Sequence, residues 1–152
     1  MSDVCLEAEK SPKAKVSHHR LHEDFEGIDE TIAMSSMYAA NHLGAKVVAT
    51  LTQTGKTALW MSRISSNISI FAMSDNYKTL KKVTIYRGVY PCYIEKNSAD
   101  DWNDVNSKVI ENLLSKSVVV DKDIVIVTKG MHKDKSGGTN LMKILRVGDG
   151  NY

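Results

Sequence analysis

The stretch Ala45–Leu59, AKVVATLTQTGKTAL, changes its patterning halfway along. Ala45 to Leu51 is a short apolar run bounded by Gly44 and a Thr/Gly cluster, which predicts a strand covered on both faces. From Lys56 to Ile64 the spacing is helical. Downstream, Ser69–Met73 reads as a strand and Asn76–Val83 as a short helix started by Ser74-Asp75. Val89–Tyr93 gives a third strand. Ser98 can cap a helix whose Trp102, Val105, Val109 and Leu113 share a stripe, and Asp123–Thr128 is another buried strand. Upstream, Ile28, Ile32, Ala39 and Leu43 fall on one helical face, with Asp29 and Glu30 in the first turn, where the helix dipole favours acids, and Gly44 as the stop.

The order is β-α-β-α-β-α-β, and parallel neighbours need crossover connections, so a mostly parallel sheet with helices on both faces is expected. Leu141–Val147 follows the fourth strand through a Lys/Gly-rich loop without an intervening helix, which makes it an antiparallel edge strand. The predicted fold is a three-layer α/β/α domain with a five-stranded mixed sheet. The first ten residues place Val4, Cys5 and Ala8 at helical spacing and stop at Ser11-Pro12. Residues 11–27 have no clear periodicity and read as a linker, so the expected division is 1–26 and 27–152.

Composition narrows the function classes. A chain of 152 residues, 42% hydrophobic, suits one core. Its 20 basic and 18 acidic residues leave a formal net charge of +2, too balanced to signal a nucleic-acid or membrane partner. Cys5 and Cys92 form no CxxC pair, which suits a reducing compartment. The longest aliphatic runs are far short of a membrane span and no signal-peptide core is present, so a soluble, cytosolic protein is expected.

Gly55-Lys56-Thr57 ends like a nucleotide-binding P-loop. That loop needs a glycine five residues before Gly55, where the backbone wraps a β-phosphate, and Thr50 stands there. The strand after it offers only Asp75 to hold Mg²⁺, at a helix-cap position, so NTP hydrolysis is set aside. The local physics survives: Thr52, Gln53, Thr54 and Gly55 between a strand and a helix place hydroxyls and free N–H groups at a helix N-terminus, with the Lys56 ammonium nearby. One phosphate would fit, beyond the carboxyl end of a strand. The plain alternative is that Thr54 caps the helix and Lys56 is a solvated charge. A second loop, Gly130–Asn140 (GMHKDKSGGTN), combines His132, Lys133 and Lys135 with Ser136-Gly137-Gly138, a composition suited either to an anion-binding nest or to a solvated hairpin tip.

Other constellations are weaker. His18, His19 and His22 lie in the linker with no thiolate nearby and no regular element to fix a metal geometry. Cys92 follows Pro91 in an apolar strand and reads as a buried structural thiol rather than a nucleophile. Lys78, Lys81 and Lys82 with Tyr77 and Tyr86 could suggest a single-stranded nucleic-acid platform, but three lysines on a short helix are usually just its wet face.

Both loops together resemble the C-terminal domain of pyruvate kinases, over nearly the whole chain. DVCLEAEK resembles the end of the last helix of that family's (β/α)₈ barrel, and IDETIAMSSMYAANHL the first helix of its C-terminal domain. LTQTGKTA resembles the effector-phosphate loop, IYRGVYP a Tyr-Arg-Gly-aromatic-Pro segment, and SGGTN the closing effector loop. The first helix and MSRISSNISIFAMS are most similar to the bacterial branch that answers to AMP or sugar monophosphates.

The resemblance implies a regulatory and assembly domain of a phosphotransferase that moves phosphate from phosphoenolpyruvate to ADP in glycolysis. Mg²⁺ and K⁺ would act at barrel residues absent from this chain, so no catalytic residue carries over and the domain alone would be inactive. Thr52, Gln53, Thr54, Gly55, Lys56 and Thr57 would hold the effector phosphate, and Ser136, Gly137 and Gly138 would close over it. Trp102 aligns with a pocket-lining tryptophan of some members, although its stripe fits plain core packing as well. Where members regulated by fructose 1,6-bisphosphate have an arginine, this sequence has Val109, with Lys108 one place off. Implied partners are the barrel domain, other copies in a homotetramer and a small phosphorylated effector, without nucleic acid or membrane. A free-standing phosphate-binding module is the alternative; the Met1–Lys10 helix, which finds no partner within the sequence, favours the domain of a larger enzyme.

Overall fold

The computed structural model describes residues 2–9, 24–95, 102–130 and 138–150. The elements are α1 (Ser2–Glu9), α2 (Ile28–Leu43), β1 (Val47–Leu51), α3 (Lys56–Ser62), β2 (Ser69–Ser74), α4 (Tyr77–Val83), β3 (Val89–Tyr93), α5 (Trp102–Ser115), β4 (Ile124–Gly130) and β5 (Thr139–Arg146). They build one five-stranded sheet in the order β3-β2-β1-β4-β5. The first four strands are parallel where they pair, and β5 runs antiparallel to β4. The expected α/β architecture is the observed one.

β1 is central and all five of its residues are buried. Side chains alternate across a strand, so Val47, Ala49 and Leu51 face one layer and Val48 the other. On the first face α5 lays down Val105, Val109, Ile110 and Leu113, the stripe expected from the sequence; full burial of each is worth roughly 1.5–3 kcal/mol. On the second face lie Ala33, Met37 and Ala40 of α2, Ala58 and Met61 of α3, and Val83 of α4.

The α2 stripe differs from the one read in the sequence. Ile28 is 70% exposed and Leu43 47%, while Ala33, Ser36, Met37 and Ala40 face inward. Small residues let this helix lie close to the sheet, and Met37 fills the gap that remains. Gly44 ends the helix in the left-handed region at φ 64°, as its position predicts. Among the described residues, no helix is long and apolar enough to cross a membrane.

Candidate functional site

The strand order reverses between β1 and β4. Successive crossovers lead outward from β1 to β2 and β3, while β4 and β5 lie on the other side. Open α/β sheets bind ligands at such a reversal, outside the carboxyl ends of the strands. Here those ends lead into the Thr52–Gly55 turn and the β4–β5 loop, with Thr50 beside Thr128 in the register.

Each residue of the turn has a defined place. The Thr52 amide donates to the Met73 carbonyl at 3.0 Å, and its hydroxyl accepts from the Gly55 amide at 2.9 Å. Gln53 Nε2 donates to Asp75 Oδ1 at 3.3 Å, and the Gln53 carbonyl accepts from the Thr79 hydroxyl of α4. The Thr54 hydroxyl accepts from the Lys56 amide at 3.4 Å, so it gives α3 only a long N-terminal contact. Gly55 sits at φ 77°, and a Cβ there would come within 2.8 Å of Val83 Cγ1. Both the left-handed backbone and the close approach of α4 require glycine.

Lys56 is not a free surface charge. Its Nζ lies 2.9 Å from Asp29 Oδ2 at the start of α2, with the aspartate side chain 7% exposed and the lysine 46%. This is a charge contact rather than an aligned hydrogen bond. Thr57 is buried, and its hydroxyl lies 2.7 Å from that of Thr139, the first residue of β5. The β1–α3 turn and the end of the β4–β5 loop therefore meet. Gly138 stands at that junction, and a Cβ on Gly130 would come within 2.5 Å of its carbonyl oxygen.

Ser136 and Gly137 lie outside the described residues, as do the linker histidines and the expected Ser98 cap. Trp102 begins α5 and its side chain is likewise outside them. Val109 is fully buried against the sheet, and Lys108 instead lines a cavity of about 550 Å³ with Tyr93, Glu95, Glu111 and Asn112. Two contributors to the loop, Asp29 and Thr79, were not singled out in the sequence as its partners, and Asp75 and Thr139 hold roles other than those read there. Asp29 reads there as a dipole-favoured first-turn acid and Asp75 as a helix cap. The observed cap of α4 is Asn76, whose side chain accepts from the Lys78 amide at 3.0 Å.

Among the described residues, the amides of Gln53, Thr54, Thr57 and Ala58 meet no hydrogen-bond acceptor. Unpaired N–H groups at a helix start favour a negative guest. No group of three His, Cys, Asp or Glu side chains comes together among the described residues. Cys92 is buried, its thiol donating to Asn112 Oδ1 at 3.0 Å, and burial pushes that thiol's pKa up against a smaller opposing pull from Lys116.

Topology and turn together define a doubly wound α/β domain with a polar loop at its switch point. Residues 30–145 match the family model described as pyruvate kinase, alpha/beta domain. The chain belongs to that family, in its bacterial form. It is 47% identical to the pyruvate kinase of Buchnera aphidicola from Schizaphis graminum, over 97% of this chain and 30% of that protein. Identity to pyruvate kinase II of Salmonella typhimurium is 46% over the same shares. Against the pyruvate kinase of the yeast Debaryomyces hansenii it falls to 24%, again over 97% of the chain and 30% of the relative. The chain thus spans about three tenths of the length of these relatives.

Proposed function

We propose that this chain is the regulatory and assembly domain of a pyruvate kinase and binds a phosphorylated effector at the switch-point loop. Residues 27–152 form that domain, and residues 1–26 are the end of a barrel helix and its linker. Phosphoryl transfer from phosphoenolpyruvate to ADP belongs to the barrel of the whole enzyme. Mg²⁺ and K⁺ would also act there. The enzyme is a cytoplasmic homotetramer in this reading.

The observation that supports the reading best is the 2.7 Å contact between Thr57 and Thr139, which joins the loops the sequence marks as phosphate-binding. The effector phosphate sits along Thr52–Thr57, chiefly on the amides of Gln53, Thr54 and Thr57 that meet no acceptor among the described residues, beside Lys56, and Ser136, Gly137 and Gly138 close over it. Trp102 lines the sugar or base end of the pocket. A bound ligand that pulls the loops together biases how the domain packs on its neighbours, and a preference of about 1–3 kcal/mol for one quaternary state suffices.

Calorimetric titration of the full-length enzyme with AMP, ribose 5-phosphate and fructose 1,6-bisphosphate tests this. A monophosphate should bind and activate, and the bisphosphate should gain nothing, because Val109 offers no charge to a second phosphate. Binding of none of the three would overturn the reading. Quenching of Trp102 fluorescence on binding would follow from its place in the pocket.

A further inference from the structure

Helix α4 packs on the same face of the sheet as α2 and reaches the switch-point loop with two side chains. The hydroxyl of Thr79 donates to the Gln53 carbonyl and fixes α4 across the turn. One helical turn later, Lys82 Nζ lies 3.4 Å from the Thr54 carbonyl oxygen. The loop therefore meets two ammonium groups, Lys56 and Lys82.

Their electrostatic states differ. Asp29 sits 2.9 Å from the Lys56 ammonium and cancels most of its field. Asp75, whose Oδ1 accepts from Gln53 Nε2 at 3.3 Å, adds a second negative charge at the loop's flank. A phosphate dianion arriving there meets two carboxylates and one neutralised lysine. Among the described residues, Lys82 has no carboxylate partner, and its ammonium meets a neutral carbonyl. Its exposed, flexible stem lets the ammonium turn from that carbonyl to a phosphate oxygen without breaking an ion pair.

We infer that Lys82 is the principal electrostatic partner of a phosphate monoester at the Thr52–Thr57 loop, with Lys56 held mainly as a strut to Asp29. This rests on the proposed effector site and adds a ligand from another helix. It also gives a role to one of the three α4 lysines that otherwise read as a solvated face.

Ribose 5-phosphate is titrated by calorimetry into the full-length enzyme and its variants, with ribose as the uncharged comparison. Lys82→Ala should weaken ribose 5-phosphate by about ten- to a hundredfold, the loss of one charge-assisted hydrogen bond. Lys82→Arg should recover most of that loss. Lys46→Ala, at the opposite end of β1, should change nothing, and the affinity for ribose should be the same in every variant. If the parent enzyme binds ribose 5-phosphate and Lys82→Ala binds it equally well, the inference is wrong and the effector site stands. If the parent enzyme binds no phosphate monoester, both fall. A melting temperature for Lys82→Ala equal to that of the parent separates lost binding from lost folding.

Discussion

The buried hydroxyls of Thr57 and Thr139 lie 2.7 Å apart, joining the first turn of α3 to the first residue of the antiparallel strand β5. The residues are far apart in sequence, so this hydrogen bond forms only when the sheet closes around the switch point.

Thr57→Val keeps the shape and leaves the Thr139 hydroxyl buried without its partner. A loss of about 1–3 kcal/mol in urea unfolding is expected. The double variant Thr57→Val, Thr139→Val should recover much of it, because apolar isosteres can replace both partners at little cost. Strictly additive losses would mean that the pair is not coupled.

Two glycines with positive φ should respond differently to alanine. Gly44→Ala meets nothing within 4 Å and costs about 1–2 kcal/mol for the left-handed backbone alone. Gly55→Ala carries the same backbone cost plus a 2.8 Å approach to Val83, and should be the more damaging of the two by thermal denaturation.

The two lysines at the loop should separate in stability measurements. Lys56→Ala strands a carboxylate that is 7% exposed, and a loss of about 1–2 kcal/mol is expected after discounting for the half-exposed ammonium. Lys82→Ala breaks no ion pair among the described residues and should stay within about 0.5 kcal/mol of the parent. Equal stabilities for the two variants would argue against a structural role for Asp29.

Cys92 should make a pH-dependent contribution. Burial raises its thiol pKa in the folded chain, so the unfolded chain loses its proton first as pH rises. The stability tied to the neutral thiol is complete below the pKa of the unfolded thiol and is lost as pH climbs from there toward the higher folded value. Urea midpoints across that range should fall for the parent, and Cys92→Ala should remove that part of the slope. At neutral pH, iodoacetamide should label exposed Cys5 well before Cys92.

Much of the fold was legible because strand patterning and loop chemistry are local properties. The AKVVATL run, its glycine stop and the helical spacing after Lys56 define the strand-turn-helix unit, and the absence of a helix before Leu141 points to the antiparallel edge. Helix α2 was harder to read. Its large aliphatics, Ile28 and Leu43, suggested a buried face, but close packing on the sheet favoured Ala33, Ser36 and Ala40. Sequence spacing cannot weigh how near a helix lies to its sheet. The same limit hid the loop's partners: Asp29 and Lys82 reach the turn only through the tertiary arrangement of α2 and α4, and nothing in their local sequence marks them.

The ion pair between Asp29 and Lys56 has a mechanical consequence. Asp29 stands just beyond Gly27, where the backbone enters α2, so the segment Asp24–Gly27 and the turn before α3 are anchored to one another by a single charged joint. A tug on the start of α2 is felt directly at the start of α3, since both helices lie on the same face of the sheet, as two levers share a pin.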